Sequence, residues 1–477
     1  MNVPCPRIVV AGTNSGVGKT SVTLALVSAL RRRGLTVQTF KVGPDYLDPT
    51  YLSLASGRPC YNLDGWMTGE SHVRNVFLDK ASNADVAVIE GVMGLFDGSD
   101  PVDSTGSTAE IATWLDAPVL LVVNAHGVAR SLAALVKGYT EFDPGLRIAG
   151  IVVNHCGSER HGEWLAKSLN AFRLPQAVAS IPRGAFPDLS SRHLGLVTAN
   201  SRNLSEEVTE TLGKVLERHG RVDEILRIAR SASAIPETST PRKEPETRKR
   251  LRLGLAYDAA FHFYYQDNLE ALEENGFKLV RFSPLRDYIL PEELDALYIG
   301  GGYPEEHAEA LAGNTHMLES VRQFAQTGRP VYAECGGLMY LAQGIECNGG
   351  RRHRLVGMLP QWTRMSARLK ALSYVEVTLT QDSLFGKGGD RLRGHEFHYS
   401  ELIDDTAVQE PWSRPYLVMR RRSGPAVPEG FQNGGTVASY VHVHFASQPK
   451  ALEHFVSVCT VNSVRSRDLA EGRCERP

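Results

Sequence analysis

Hydrophobic and polar positions follow two rhythms along this chain. Short apolar runs rich in β-branched residues, bounded by Gly, Pro, Asn or Asp, recur between longer segments whose apolar residues fall three and four apart. The runs at 7–12, 37–41, 84–89, 119–124 and 148–154 predict buried strands, and a further strand closes at Ile181 and Pro182. The segments 19–33 and 205–230 predict helices, and Leu194-Gly195-Leu196-Val197 opens another turn-rich piece. Strands that alternate with helices predict a mostly parallel sheet with both faces covered.

The rhythm stops at 231–250, a stretch of Pro, Ser, Thr and charge with almost nothing to bury, which predicts a linker. Its basic end, Arg248-Lys249-Arg250, is short and lacks interleaved aromatics, so it reads as a solvated tether and not as a nucleic-acid patch. Beyond it the α/β rhythm resumes with a strand at 251–257, a helix through Gly276, a strand at 278–282 and an apolar, β-prone run that ends at Cys335. The pattern then turns to period two. Residues 373–379 read as a half-buried strand, and a strand at 439–445 would put Tyr440, His442 and His444 on one face. The whole predicts two α/β domains, at 1–230 and 251–465, with a linker at 231–250 and a tail at 466–477.

A length of 477 residues agrees with two cores. Lys plus Arg total 52 against 54 Asp plus Glu, which argues against nucleic-acid or anionic-membrane partners, so any polyanion must be met locally. The cysteines (Cys5, Cys60, Cys156, Cys335, Cys347, Cys459, Cys474) are scattered without CxxC spacing, and a reduced, cytoplasmic setting is expected. No apolar run approaches the roughly 20 residues of a membrane span, and the first residues enter a strand without a charged-then-apolar leader.

Between the first strand and helix lies Gly12-Thr13-Asn14-Ser15-Gly16-Val17-Gly18-Lys19-Thr20. Backbone N–H groups around Gly16 and Gly18 and the helix N-terminus can cradle the phosphates of ATP, Lys19 can neutralise them and Thr20 can hold Mg²⁺. The strict motif wants Gly where Thr13 stands, and the longer spacing resembles dethiobiotin synthetase-like P-loop proteins. After the second strand, Asp45 and Asp48 occupy a Pro/Gly-bounded loop in the crevice where open α/β sheets bind ligands, so metal or substrate contact is expected. Glu90, ending the next strand, is the expected Mg²⁺ carboxylate, with Asp97 near it.

In the second half, Cys335-Gly336-Gly337 follows a strand and precedes a helix-permissive segment, the elbow that exposes a nucleophile. A Gly-rich turn at 300–302 can offer N–H groups to an oxyanion, and a distant His can take the thiol proton. That order of parts resembles the triad-type class I glutamine amidotransferase domain. His442 is the first candidate for the base and His444 the second. The familiar pattern has an acid two residues after the base. That position holds His444, so an orienting carboxylate is expected to be missing, as in the cobyric acid synthase-like branch. His395 and His398 lack a third ligand at metal spacing, so structural or substrate contacts are expected of them.

Taken together, GTNSGVGKTS, KVGPDYLDP, EGVMGLFDG, GGGYPE, ECGGLMYL, RGHEFHYS and SYVHVHF resemble the cobyrinate a,c-diamide synthase family over roughly Arg7 to Ser447. The resemblance implies ATP-dependent amidation of the a and c acetates of a corrinoid polycarboxylate, with ammonia from glutamine and the carboxylate activated as an acyl phosphate. It implies that Lys19, Thr20 and Glu90 serve ATP and Mg²⁺ and that Asp45, Asp48 and Asp97 line the acyl-phosphate site, with Tyr46 and Leu47 near the macrocycle. It makes Cys335 the nucleophile, and the N–H groups of Gly301 and Gly336 are the expected oxyanion donors. Ammonia would be protonated in open water, so a shielded path between two sites is expected. Hydrogenobyrinate and nickel sirohydrochlorin carry the same two acetates, and motifs for ATP and ammonia do not separate them. A non-catalytic P-loop switch with an inactive amidotransferase-like module would be expected to lack Cys335 or a usable His, and both are present. The sequence leaves the assembly open, a homodimer included.

Overall fold

The continuous apolar runs of the first half become strands buried on both faces, as the Arg7–Gly12 and Val37–Val42 strands illustrate. A computed structural model of the chain describes residues 2–3, 5–187, 204–236, 251–403, 408, 410–421 and 423–470. It divides into two compact units, Met1–Pro241 and Arg242–Pro477. Within the predicted linker and tail, 237–250 and 471–477 lie outside the described residues, as do Cys474 and the turn-rich piece at 194–197.

The first unit holds a seven-stranded sheet in the order Tyr61–Leu63, Val37–Val42, Val86–Glu90, Arg7–Gly12, Val119–Asn124, Ile148–Cys156, Ala177–Pro182. Every pairing in it is parallel. Arg7–Gly12 and Val86–Glu90 are therefore central, and their carboxyl ends bring the phosphate loop beside Glu90. The predicted helix at 205–230 is two helices, Glu206–His219 and Val222–Arg230. The break is fastened to the sheet: Gly220 is extended, and the Arg221 N–H donates to the Val178 carbonyl at 2.8 Å instead of to the preceding turn. Ile235–Pro236 returns to pair with Asn2–Val3. The buried Arg7 guanidinium secures that corner by donating to the Cys5, Leu115 and Ser233 carbonyls.

The second unit has a six-stranded sheet in the order Phe277–Phe282, Leu251–Ala256, Ala296–Ile299, Val331–Glu334, Thr436–Ser439, Phe431–Asn433. Its first five strands run parallel and its last pair antiparallel. An antiparallel sheet of five strands follows, in the order Ser423–Glu429, Tyr416–Arg420, Ala371–Leu379, Arg391–His398, His442–Val443. The predicted single strand at 439–445 is thus corrected. It ends at Ser439 in one sheet and restarts at His442 in the other. Ser439 explains the switch, because its Oγ accepts the Val441 N–H at 2.9 Å, a local turn that competes with the ladder. Both units are α/β, as the two rhythms predicted.

Candidate functional site

The phosphate loop is shaped by two glycines in left-handed backbone, Gly16 at φ 82° and Gly18 at φ 92°. A side chain at Gly18 would run into Asn154, whose Nδ2 donates to the Val17 carbonyl at 2.8 Å and fixes the loop from the Ile148–Cys156 strand. The helix Lys19–Arg32 starts directly behind it, so its first N–H groups face the loop. Lys19 Nζ donates to the Met93 carbonyl and, at 3.3 Å, to that of Asn14. The 91–98 loop is knitted to the same strand end, with the Leu95 N–H donating to the Gly12 carbonyl at 2.8 Å. Asp97 serves that loop in turn, since its Oδ2 accepts the Gly94 N–H at 2.8 Å.

Beside the loop three expected residues converge. Thr20 Oγ1 lies 2.5 Å from Glu90 Oε1 and 3.5 Å from Asp48 Oδ2. A fourth residue, which sequence reasoning passed over, joins them. Lys41 Nζ sits 2.7 Å from Asp48 Oδ2, 3.2 Å from Glu90 Oε1 and 3.8 Å from Asp45 Oδ2. Burial disfavours the Lys41 charge, but Asp48, Glu90 and Asp45 outweigh it and hold the ammonium above its ordinary value. Burial, aided by the Asp48 charge, pushes Asp45 up to about 6. Its Oδ1 accepts the Leu47 N–H at 2.8 Å and the Asp48 N–H at 3.1 Å, which sets the loop carrying half-buried Tyr46 and Leu47. A hydroxyl and two carboxylates gathered at the phosphate loop are the hard oxygen donors that suit Mg²⁺. The signal for Lys41 was present, a lone Lys in the otherwise apolar end of a buried strand.

In the second unit the Val331–Glu334 strand ends at Cys335, whose φ of 48° and ψ of −100° make a strained elbow ahead of the helix Gly336–Leu341. Only glycine fits behind it. A Cβ on Gly337 would strike the Ile299 carbonyl, and one on Gly336 would lie 3.0 Å from the Gly302 nitrogen. The elbow is thereby seated on the 300–302 turn, which brings Gly301 and Gly336 together. The thiol is buried at 6% exposure, and burial with the Glu305 charge pushes it up, while the Gly336 N–H opposes that shift. Burial also pushes Glu305 up to about 7.

The two histidines separate clearly. A side chain on Gly301 would strike the His442 ring at Cε1, with Nε2 next, so that edge faces the glycine turn of the elbow. His444 points elsewhere, with Nε2 3.2 Å from Asp267 Oδ2 and Nδ1 accepting the Ala446 N–H at 3.3 Å. The expected absence of a carboxylate beside His442 is corrected as well. Glu334 Oε2 lies 3.5 Å from His442 Nδ1. The sequence pattern missed it because this acid comes from the position before the nucleophile and not from the strand of the His. His395 stacks on His442 with ring centres 5.0 Å apart, and His398 stacks on Tyr440 at 4.0 Å. Both therefore make ring contacts at the site's edge.

A nucleotide-binding unit with a phosphate loop, followed by a unit with a cysteine elbow and a facing histidine, defines a glutamine amidotransferase ligase. Residues 8–196 match the CobQ/CobB/MinD/ParA nucleotide binding domain, and residues 252–450 match the CobB/CobQ-like glutamine amidotransferase domain. Cobyrinate a,c-diamide synthase of Syntrophotalea carbinolica is 57% identical over 455 residues, covering 95% of this chain and 99% of that protein. The proteins of that name from Leptospira interrogans and Methanothermobacter thermautotrophicus are 45% and 39% identical, covering 96% and 94% of this chain and 99% and 98% of their own. The chain belongs to the cobyrinate a,c-diamide synthase family, the ATP-binding, glutamine-dependent carbon–nitrogen ligases of cobalamin biosynthesis. Among the described residues no helix is long and apolar enough to cross a membrane.

Proposed function

We propose that the chain amidates the a and c acetate carboxylates of cobyrinate in turn, taking phosphoryl groups from ATP and ammonia from glutamine. The observation that carries this reading is the presence on one chain of both chemistries: the Thr20–Asp48–Glu90–Lys41 cluster at a phosphate loop, and the strained Cys335 elbow with His442.

In the first unit the loop N–H groups around Gly16 and Gly18 and the Lys19 ammonium hold the ATP phosphates. Thr20, Asp48 and Glu90 would hold Mg²⁺, which when bound supplies positive charge against the charge developing at the γ-phosphoryl group. Asp45, Tyr46, Leu47 and Asp97 line the side where the macrocycle enters. A substrate carboxylate oxygen attacks the γ-phosphorus, the bond to the β–γ bridging oxygen breaks, and acyl phosphate and ADP result. Ammonia then attacks the acyl carbon, phosphate leaves with the bonding pair, and the surplus proton is lost to give the amide.

In the second unit His442 Nε2 accepts the Cys335 thiol proton as Sγ attacks the carboxamide carbon of glutamine. The N–H groups of Gly301 and Gly336 receive the oxyanion. His442 returns the proton to the departing nitrogen, ammonia leaves, and water hydrolyses the thioester to glutamate. Cys335→Ala should therefore abolish glutamine-driven amidation and keep ammonium-driven amidation, whereas Lys19→Ala should lose both. Steady-state assays with each nitrogen source measure this. Glutamine use at the normal rate by Cys335→Ala would overturn the assignment of the nucleophile.

A further inference from the structure

The Cys335–His442 pair leaves a question that the family pattern does not answer: what holds the imidazole with its proton on the far nitrogen. A base can take the thiol proton through Nε2 only if Nδ1 carries the ring proton, and in hydrolytic triads a buried carboxylate enforces that tautomer. The position two residues after His442 holds His444, which is committed to Asp267 and to the Ala446 N–H. Among the described residues the carboxylate of Glu334 faces His442 Nδ1 at 3.5 Å, with both side chains at most 2% exposed.

We propose that Glu334 is the positioning acid of the glutaminase centre, supplied from the residue directly before the nucleophile. The inference rests on the reading of Cys335 and His442 given above. Strand geometry makes the arrangement workable, because consecutive side chains leave a strand toward opposite faces. Glu334 therefore enters the packed interior where Nδ1 lies, while Cys335 turns the elbow. Its carboxylate is held from several directions. Tyr298 Oη donates to Oε2 at 2.8 Å, Tyr332 Oη donates to Oε1 at 2.5 Å, and the Val443 N–H donates to Oε1 at 3.1 Å. These donors are neutral, so they fix the carboxylate in place without cancelling its charge, which is left to face the imidazole. The Val443 bond also ties the acid to the backbone directly after His442, so the two move as one. On the ring's face, His395 stacks at 15° between planes and is itself anchored by Tyr265 Oη, 2.9 Å from its Nδ1. The ring is thus fixed by an acid at Nδ1 and a flat neighbour, with its Cε1–Nε2 edge toward the glycine turn.

The test is kinetic, on the full-length protein, with Glu334→Gln, Glu334→Asp, Cys335→Ala and His442→Asn assayed side by side for glutamine-driven and ammonium-driven amidation. Glu334→Gln keeps the shape but can donate to Nδ1 and favour the wrong tautomer. It should lower kcat with glutamine by about 10²-fold or more, leave KM for glutamine within about threefold, and keep ammonium-driven amidation. Glu334→Asp should recover part of the loss. A Glu334→Gln enzyme that keeps more than about one tenth of its glutamine-driven kcat overturns the proposal. So does parallel loss of both nitrogen sources, which would mark Glu334 as a structural residue only. If Cys335→Ala or His442→Asn still used glutamine normally, the underlying reading would fail, and the Glu334 variants would not be the cause.

Discussion

Lys41 shows how much one side chain can carry at the phosphate loop. Glu90 has no exposed surface, and a carboxylate so placed is tolerated because a cation lies 3.2 Å away. Removing one partner of a buried pair strands the other, at a cost of about 3–5 kcal/mol. Lys41→Met should lower the urea-denaturation stability of the first unit by that order, with Mg²⁺ restoring part of it by supplying a cation to the same carboxylates. An unchanged transition without Mg²⁺ would show that Lys41 does not balance the cluster. At this scale the places of Lys19, Thr20, Glu90 and Cys335 were legible in the sequence, since each stands where a strand hands over to a turn or helix. Lys41 and Glu334 were not singled out. Their meaning comes from partners that the fold brings together from distant segments, and a lone charge at the end of a strand reads equally well as a solvated end.

Among the elements, the strand ends do most to position the chemistry. The switch between sheets after Ser439 turns His442 toward the elbow, and Glu429 fixes that switch by accepting the Tyr440 N–H at 2.8 Å and the Ser439 hydroxyl at 2.5 Å. Burial, aided by the Glu396 charge, pushes Glu429 up from its ordinary 4.5 to about 7. A carboxyl whose pKa is higher folded than unfolded binds more protons in the folded state. Its contribution is therefore fully present below about 4.5 and is lost as pH rises through about 7. Glu429→Gln should flatten the fall in melting temperature across that window. An unaltered slope would mean that the group does not titrate there. Buried parallel strands were readable because their apolar runs need no partner to be recognised. The sheet switch and the helix break at Gly220 were not, because a side-chain turn at Ser439 and a backbone bond from Arg221 to Val178 decide them.

For the whole molecule, two α/β units, one matching a nucleotide binding domain and one a glutamine amidotransferase domain, make one ligase. The domain pattern was legible because the apolar rhythm stops and restarts. The family was legible because seven motifs from both halves occur in one order, and relatives that align over nearly the full chain agree with it. The macrocycle is what local motifs address least, because motifs for ATP and ammonia are blind to the rest of the substrate. The direct test is a mass-spectrometric count of amides formed when the purified protein meets cobyrinate, hydrogenobyrinate or nickel sirohydrochlorin, each with Mg-ATP and glutamine. Two amides should form on cobyrinate, with glutamate, ADP and phosphate released in step. Glutamine hydrolysis with no amide on cobyrinate, or two amides formed only on one of the other macrocycles, would contradict it.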